Sequence, residues 1–526
     1  MTLTMSFTTF TSSNLIVIIQ LFIITYVARY YYKYFTRQSP LPGPFPLPLV
    51  GNLFQIGLNP AKYAIDHHHE FGKMFEIWVG NNRFIFLSHH SLTEKIYISN
   101  INNKFFKRIQ VPYLEKIGLQ HGLIFNNDYQ IWKRNRKFVV YSLMSPRFLR
   151  QFTWLTQSYF NENESFWDKK EYHIDLAKWI KHFTTDITLR TITRRPSYCL
   201  NTFLFGENHT DPINSEEIKK SVKFSHAVQT FFKGVIFEFF VPNVLKHYFP
   251  GFYDMNKNFI KNTDWLNETI SDIIKKRRME IENDDEVGSD LIDVLLTLNT
   301  PRDLNGYNEN EKPMSDQEVR ATIMEVSIAG VDTTANTFCF LVWQLSHHPK
   351  VVARFREEMK EILGYDTTRQ ITYEDLEKFK YLDAIIKESQ RTISLVPFSS
   401  RTSTGNDVIG GKCWGSNTIF FIHHEQIHNS LDCWKNPDQF IPERFLKGSG
   451  HEIVKNSFIP FGGGIRICPG RNMALVELKT LLILLYRKYD IELVDKVSKK
   501  PKTIFVGTNS CTDLKVIVRP RNYNNV

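Results

Sequence analysis

A cysteine near the C-terminal end of the chain has the surroundings of a metal ligand. Cys468 lies in the loop 461–470, sequence FGGGIRICPG, just before an apolar helical pattern that runs from residue 473 to 485. The N-terminal end of a helix carries partial positive charge, so this position favours the thiolate. Glycines let the backbone approach a flat ligand, and Arg466 can pair with an acidic group. Although a lone buried cysteine is more commonly a small apolar side chain, this combination suits a haem.

Two further spacings place polar side chains together. Trp132 and Arg136 are four residues apart, and Glu388 and Arg391 are three apart, so each pair shares a face if its segment is helical. Taken alone, either pair is more commonly an ordinary surface pair. The spacing therefore leaves both interpretations open.

The segment 329–334, sequence AGVDTT, is an unusual choice for a helix interior. Glycine costs about 1 kcal/mol relative to alanine in a helix, and Asp332 needs a partner if it is buried. Such a local violation points to function. The alternative is that the Thr333 hydroxyl bonds back to the carbonyl of Ala329 and merely bends the helix. A bend would also displace backbone hydrogen bonds and leave a groove beside the helix.

Together these motifs resemble the cytochrome P450 family. The cysteine loop matches the family signature Phe-x-x-Gly-x-Arg-x-Cys-x-Gly at all five defining positions, which are Phe461, Gly464, Arg466, Cys468 and Gly470. The resemblance implies haem b as cofactor and Cys468 as the axial ligand of its iron. It also implies that Phe461, Arg466 and Gly470 belong to the cofactor site.

The resemblance gives roles to the helical motifs as well. Trp132 and Arg136 match the Trp-x-x-x-Arg pair that holds a haem propionate, and Arg401 falls where the family has another propionate-binding arginine. The match of residues 329–333 to the Ala/Gly-Gly-x-Asp/Glu-Thr motif implies that Thr333 stabilises reduced dioxygen and that Asp332 relays protons.

A third motif is structural in this family. Glu388 and Arg391 match its Glu-x-x-Arg pair, which Arg444 of the segment 442–445, sequence PERF, completes as a buried triad. Loss of one member would strand a buried charge at a cost of about 3 to 5 kcal/mol.

The elements that must position these residues are mostly helices. Ser315 and Glu318 form a capping-box pattern that predicts a long helix to about His347. Thr372 and Asp375 predict the start of the helix that carries the Glu-x-x-Arg pair. The resemblance implies the fold class, mainly α with small β-sheets (α+β).

Length and composition are consistent with one catalytic domain, residues 40–526. No Gly/Ser-rich or Pro-rich linker divides the 526 residues into halves. Six scattered cysteines without a C-x-x-C pair predict reduced thiols rather than disulfides or a zinc cluster. The net charge of +10 is interleaved with 55 acidic residues, which favours a membrane surface or an acidic partner over nucleic acid.

The N-terminal segment, residues 1–39, predicts a signal anchor and its membrane flank. Residues 7–28 carry no charge, and 22 residues make about 33 Å of helix, enough to cross a bilayer. Basic residues follow the apolar run and no cleavage site is evident. We therefore expect a single-pass protein of the endoplasmic reticulum membrane with a cytosolic catalytic domain. The proline-rich stretch 40–48 predicts a stiff, extended hinge.

Two histidine clusters could suggest a metal site of another kind. Residues 424–428 read His-Glu-Gln-Ile-His and satisfy the zinc-peptidase pattern H-E-x-x-H. The preceding residues 419–422 read as a strand and Asn429 follows at once, so we expect no helix long enough to bring the imidazoles together. Three consecutive histidines, 67–69, point in different directions on a helix and do not converge on one ion.

The resemblance implies a reaction and its alternatives. It implies insertion of one oxygen atom of O2 into a lipophilic small molecule, with electrons from NADPH-cytochrome P450 reductase docked on the basic side near the cysteine. Cytochrome b5 is a second candidate donor. A haem-thiolate isomerase or dehydratase acting without O2 is an alternative, against which Asp332 and Thr333 weigh. A non-catalytic membrane scaffold is another, against which Cys468 weighs. The phenylalanine-rich segment 224–252 predicts either core packing or the roof of the substrate pocket.

Overall fold

The computed structural model describes residues 12–57, 60–97, 104–110, 112–167, 172–193, 197–205, 215–283, 287–288, 290–298, 300–303, 312–498 and 500–521. Within these ranges most of the chain is helical. The α-helices are α1 (Ser12–Phe35), α2 (Leu53–Ile56), α3 (Pro60–Asp66), α4 (His68–Phe71), α5 (Pro112–Lys116), α6 (Tyr129–Met144), α7 (Pro146–Glu162), α8 (Leu176–Thr193), α9 (Cys199–Phe205), α10 (Ser215–Phe240), α11 (Asn243–Tyr248), α12 (Pro250–Glu282), α13 (Leu291–Thr297), α14 (Asp316–His347), α15 (Pro349–Leu363), α16 (Tyr373–Leu376), α17 (Lys380–Thr392), α18 (His424–His428) and α19 (Arg471–Lys488).

The strands are short and form small sheets. They are β1 (Met74–Val79), β2 (Asn82–Leu87), β3 (Tyr172–Asp175), β4 (Phe398–Thr402), β5 (Asp407–Ile409), β6 (Lys412–Trp414), β7 (Ile419–His423), β8 (Tyr489–Leu493), β9 (Lys502–Phe505), β10 (Asn509–Asp513) and β11 (Lys515–Pro520). One sheet has the order β1-β2-β7-β4, another β3-β11-β8, and β5-β6 and β9-β10 are two-stranded. The expected fold class, mainly α with small β-sheets, is confirmed.

Helix α14 runs through the main hydrophobic core. The predicted capping box is present, because the Ser315 hydroxyl accepts the Glu318 N–H while the Glu318 carboxylate accepts the Ser315 N–H. The helix ends at His347, as the sequence predicted. It packs against α8, and its apolar side chains belong to one core cluster together with those of α17 and α19. Residues 329–334 are therefore held at the centre of the molecule.

The helix that carries Glu388 begins later than the sequence predicted. Thr372 caps only the short helix α16, and α17 starts afresh at Lys380. The reason is a contact from α15, whose Glu358 carboxylate accepts the N–H groups of Tyr381 at 2.6 Å and Leu382 at 2.9 Å. A carboxylate at this place satisfies the free donors of a helix start.

Helix α1 is the one described helix that is long and apolar enough to cross a membrane. It continues beyond the expected end of the span, to Phe35, and its last turns rest on the β1–β2 hairpin. Lys33 donates to the carbonyl of Asn81 at 3.0 Å, and the ring of Tyr30 lies 6.2 Å from that of Trp78. The proline-rich stretch is also packed, since the carbonyl of Pro42 accepts the N–H of Glu76 at 2.9 Å. The domain boundaries stay a prediction.

The buried carboxyl group of Glu477 on α19 should make the free energy of unfolding depend on pH in an unusual way. Its side chain is buried, its Oε1 has no hydrogen-bond partner among the described residues, and burial raises its pKa from 4.5 to about 8. Between these values the folded state holds a proton that the unfolded state has lost, so this group lowers stability as the pH rises. In urea unfolding at pH 5 and pH 9, Glu477→Gln should lose less stability than the wild type. The exposed Glu361→Gln on α15 is the control, and equal losses in all three proteins would contradict the prediction.

Candidate functional site

The cysteine loop is shaped by its glycines. The N–H of Cys468 donates to the carbonyl of Phe461 at 3.0 Å, which closes the loop. Gly462 and Gly464 have φ angles of +72° and +67°, a conformation that side chains rarely adopt. A Cβ atom at Gly463 would lie 2.7 Å from the ring of Tyr97. The loop therefore needs glycine at these positions.

Cys468 itself is under opposing electrostatic influences. Its side chain is accessible to solvent, yet protein atoms surround it closely enough that burial raises the pKa of the thiol. The N–H of Gly470 and the positive charges of Arg136, Arg108 and Arg471 act in the opposite direction. The expected influences on the thiolate are present, but burial outweighs them. A metal ion at the sulfur would remove the proton outright.

Arg466 joins the cysteine loop to the segment before α6. Its guanidinium donates to the carbonyls of Phe106 at 3.3 Å and Leu123 at 2.7 Å, and also to that of Asn126. It also lies 4.7 Å above the ring of Trp132. Three of its five N–H donors are thus used by backbone, and two are left for an acidic group.

Trp132 and Arg136 share one face of α6, as their spacing predicted. Trp132 is buried, and the Arg136 guanidinium lies 5.4 Å from its ring. Arg136 also donates to the carbonyl of Ile467 at 2.6 Å, next to the cysteine. The structure therefore brings the Trp132–Arg136 pair against the loop that carries Cys468.

Two more arginines complete a buried cluster. Arg401 on β4 is 2% exposed and donates to the carbonyl of Ser400 at 2.8 Å. Arg108 was missed by the sequence analysis, and its Nε has no hydrogen-bond partner among the described residues. Burial, and next the charge of Arg401, lower the pKa of Arg108 to about 9. Burial, and next the charge of Arg108, lower the pKa of Arg466 to about 8. Both stay protonated at neutral pH, so the cluster holds uncompensated positive charge.

This cluster provides a test of whether a haem fits. Arg108, Arg136, Arg401 and Arg466 come from four separate parts of the chain, and one carboxylate, Glu325, influences the charges of Arg108 and Arg466. Buried cations need anionic partners, and a flat apolar ligand with two carboxylates supplies them. Together with the cysteine sulfur, this donor set fits an iron porphyrin.

On α14 the structure shows the threonine contact that was weighed as an alternative. The Thr333 hydroxyl donates to the carbonyl of Ala329 at 2.5 Å. Asp332 is 2% exposed, and its Oδ1 has no partner among the described residues. Burial raises the pKa of Asp332, and the charge of Lys181 on α8 opposes this. Gly330 lets α8 approach, since a Cβ there would lie 3.3 Å from the Thr188 hydroxyl.

The structure brings together the three residues of the expected triad. Arg391 donates to both carboxylate oxygens of Glu388, at 2.8 and 2.9 Å. Arg444 donates to the same carboxylate at 3.3 Å, and so does the N–H of Ile441 at 2.9 Å. Glu388 and Arg391 are fully buried. The triad therefore ties α17 to the segment before the cysteine loop.

Comparison with known proteins agrees with this geometry. The sequence model of the family described as Cytochrome P450 matches residues 41–516. The chain belongs to this family. It is 24% identical to "Cytochrome P450 3A17" of Cavia porcellus, with 89% of this chain and 88% of the relative covered. It is 26% identical to "Melianol synthase CYP71BQ5" of Azadirachta indica, with 86% of each covered.

A solved structure shares the fold of this cytochrome P450. The crystal structure of the cytochrome P450DA heme domain superposes with a TM-score of 0.76 at 20% identity, covering 92% of this chain and 98% of that one. The protein is thus a cytochrome P450 monooxygenase with haem b as its cofactor. Members of the family generally use redox partners and lipophilic substrates.

The H-E-x-x-H segment has another role in this P450. The predicted strand before it is confirmed as β7, and α18 is a helix of only five residues. The Nε2 of His428 accepts the N–H of Ile459 at 2.9 Å, and its Nδ1 lies 2.9 Å from the Ser394 hydroxyl. Because both nitrogens are used, His428 serves packing near the cysteine loop rather than a metal.

Part of the phenylalanine-rich segment is core packing, and its role as the roof of a substrate pocket stays a prediction. Phe224, Phe231 and Phe237 are buried where α10 packs on α12, so they are core residues. Phe232 is half-buried and faces Gly507, at the turn between β9 and β10. Phe249 is 59% exposed.

Proposed function

We propose that this P450 inserts one oxygen atom of O2 into a lipophilic small molecule, with electrons from NADPH delivered by a separate reductase. The observation that carries this proposal is the set formed by Cys468, the arginine cluster packed against its loop, and the polar segment of α14, in which Asp332 is buried. The first two supply what a haem needs. The third supplies a proton donor and a hydroxyl, which a protein that only binds haem does not require.

The residues have distinct roles in this proposal. Cys468 would ligate the haem iron through its sulfur, and Phe461 and Gly470 would shape the loop around it. Trp132 and the arginines 108, 136, 401 and 466 would hold the carboxylates of the cofactor. When bound, the haem supplies the site at which dioxygen is reduced, and the sulfur donates electron density to it.

We assign the handling of protons to Asp332 and Thr333 on α14. Burial raises the pKa of Asp332, which favours its protonated form, and we assign the relay of protons to this carboxyl group. The Thr333 hydroxyl donates its hydrogen to the carbonyl of Ala329, so its lone pairs are free to accept a hydrogen bond and orient a water.

An apolar substrate is favoured by the side chains near β4. The rings of Phe398 and Phe505 lie 5.3 Å apart, and Phe398 also meets Phe421 at 5.2 Å. Gly507 packs against Ile236 and Phe232 of α10. A surface built from aromatic and aliphatic groups binds lipophilic molecules through burial of apolar area.

The reductase is proposed to dock on the side of α6. Lys133 and Lys137 are exposed on this helix, whose Arg136 touches the cysteine loop, and Arg471 is exposed at the start of α19. A positive face near the electron acceptor suits an acidic redox partner, either NADPH-cytochrome P450 reductase or cytochrome b5. Helix α1 is proposed to anchor the protein in the endoplasmic reticulum membrane by a single span with the catalytic domain in the cytosol.

The test uses the full chain in phospholipid vesicles. A panel of lipophilic compounds is first screened for changes in the haem spin state. Each compound that binds is then incubated with the reductase, NADPH and ¹⁸O2, and product mass is measured. Incorporation of one labelled oxygen that requires both reductase and NADPH supports the proposal. Conversion of a lipid hydroperoxide without NADPH, and no labelled product, would instead identify an isomerase.

Thr333→Ala is expected to keep the haem and uncouple the reaction. Without the hydroxyl, proton delivery is misdirected and electrons leave as hydrogen peroxide. Product formed per NADPH should fall by at least about tenfold, since a positioned proton-transfer group contributes about 10²- to 10⁴-fold. Thr337→Ala is the matched control, because Thr337 makes the same kind of bond one turn later, to the carbonyl of Thr333 at 2.8 Å. Equal coupling in both variants would remove Thr333 from the mechanism.

A further inference from the structure

A buried carboxylate of α14, outside the family motifs considered above, binds three consecutive backbone amides. Glu325 lies seven residues before Asp332 and is 3% exposed. Its carboxylate accepts the N–H groups of Leu123, of Ile124 at 2.8 Å and of Phe125 at 3.4 Å. Three charge-assisted bonds to one short segment fix that segment on the helix.

The neighbouring glycine shows that this contact is built into the sequence. A Cβ atom at Gly122 would overlap the Glu325 carboxylate. Any larger residue at position 122 would force either the carboxylate or the segment to shift. We call residues 122–127 the bridge segment.

The other side of the bridge segment holds two arginines of the haem site. Its carbonyls at Leu123 and Asn126 accept the guanidinium of Arg466. The Asn127 side chain accepts the N–H of Arg108 at 2.9 Å and donates to its carbonyl at 3.0 Å. The bridge segment therefore connects α14 to Arg466, two residues from Cys468, and to Arg108.

Glu325 also opposes the charge of these arginines. The negative charge of Glu325 raises the pKa values of Arg108 and Arg466, which burial lowers. The positive charge of Arg108 in turn lowers the pKa of Glu325 and so favours its ionised form. Burial raises the pKa of Glu325 to about 7, so the carboxylate is mostly ionised at pH 8. With haem bound, its carboxylates and Glu325 would carry the negative charge that faces the guanidinium groups of the cluster.

We propose that Glu325 is a positioning residue of the haem site, which fixes the bridge segment and sets the haem reduction potential through its charge. The inference rests on the proposed haem assignment of Cys468 and the arginines. Removing a negative charge near the haem leaves excess positive charge, which stabilises the reduced, more negative state of the iron.

The test compares Glu325→Gln and Glu325→Asp with the wild type at pH 8. Glu325→Gln should shift the midpoint potential to a more positive value, lower the haem content per protein and speed hydrogen exchange at residues 123–125. Glu325→Asp keeps the charge, so its potential should return toward the wild-type value even if the amides exchange faster. This difference separates the charge from the packing.

Glu358→Gln is the matched control. Glu358 is another carboxylate that accepts consecutive backbone N–H groups, those of Tyr381 and Leu382, at the start of α17. Its loss should lower stability without changing the haem potential. If Glu325→Gln lowers stability in the same way and leaves the potential unchanged, Glu325 is structural only and the inference is wrong. A wild-type protein without a thiolate carbon monoxide band would instead refute the haem assignment itself.

Discussion

Cys468→Ala should abolish thiolate-ligated haem. The alanine methyl group cannot coordinate iron, and no other cysteine takes part in the loop closed by the Cys468 N–H and the Phe461 carbonyl. The reduced protein in membranes is treated with carbon monoxide and its difference spectrum recorded. The wild type should show the strongly red-shifted Soret band of a thiolate complex, and the variant should lack it entirely.

Loss of the band has to be separated from loss of the fold. Cys413→Ala is the control, because Cys413 is exposed on β6 and its replacement should leave the band unchanged. Folding of the Cys468→Ala protein is checked by circular dichroism and protease resistance. A red-shifted band that persists in the folded variant would show that another residue ligates the iron and would reopen the scaffold interpretation.

The sequence predicted those features of the structure that depend on residues close together in the chain. The capping box of α14 and the Trp132–Arg136 pair depend on residues within one or two turns, so their spacing was sufficient. The start of α17 was missed because it depends on Glu358, more than twenty residues earlier and on another helix. A cap supplied from a distant element leaves no local pattern.

The candidate site shows the same limit. Arg108 follows Lys107 and looks like part of a basic surface pair, and nothing near Glu325 in the sequence indicates three amide donors from the bridge segment. Both become recognisable only when separate elements meet. The helix start near Cys468 was visible in the sequence, but the burial that raises the pKa of its thiol was not.

Glu388→Gln should prevent accumulation of folded protein. The wild-type carboxylate accepts N–H groups from Arg391, Arg444 and the backbone at Ile441, with Glu388 and Arg391 fully buried. A glutamine leaves two guanidinium charges without a counter-ion, at a cost of about 3 to 5 kcal/mol. A typical domain has about 5 to 15 kcal/mol in total, so the loss is a large share of it. Urea unfolding and the yield of haem-loaded protein measure the effect.

Glu443→Gln is the matched control for Glu388→Gln, because it removes a carboxylate from an exposed ion pair instead of a buried one. Glu443 is the residue next to Arg444 and pairs with Arg354 at 2.7 Å, but both side chains are nearly half exposed, at 43% and 48%. Water can solvate either charge when its partner is lost, so the change should be under about 1 kcal/mol. A large loss in Glu388→Gln with a small loss in Glu443→Gln shows that burial of the charge decides the cost. Similar small losses in both would mean that the triad is not needed to hold α17 against the segment before the cysteine loop.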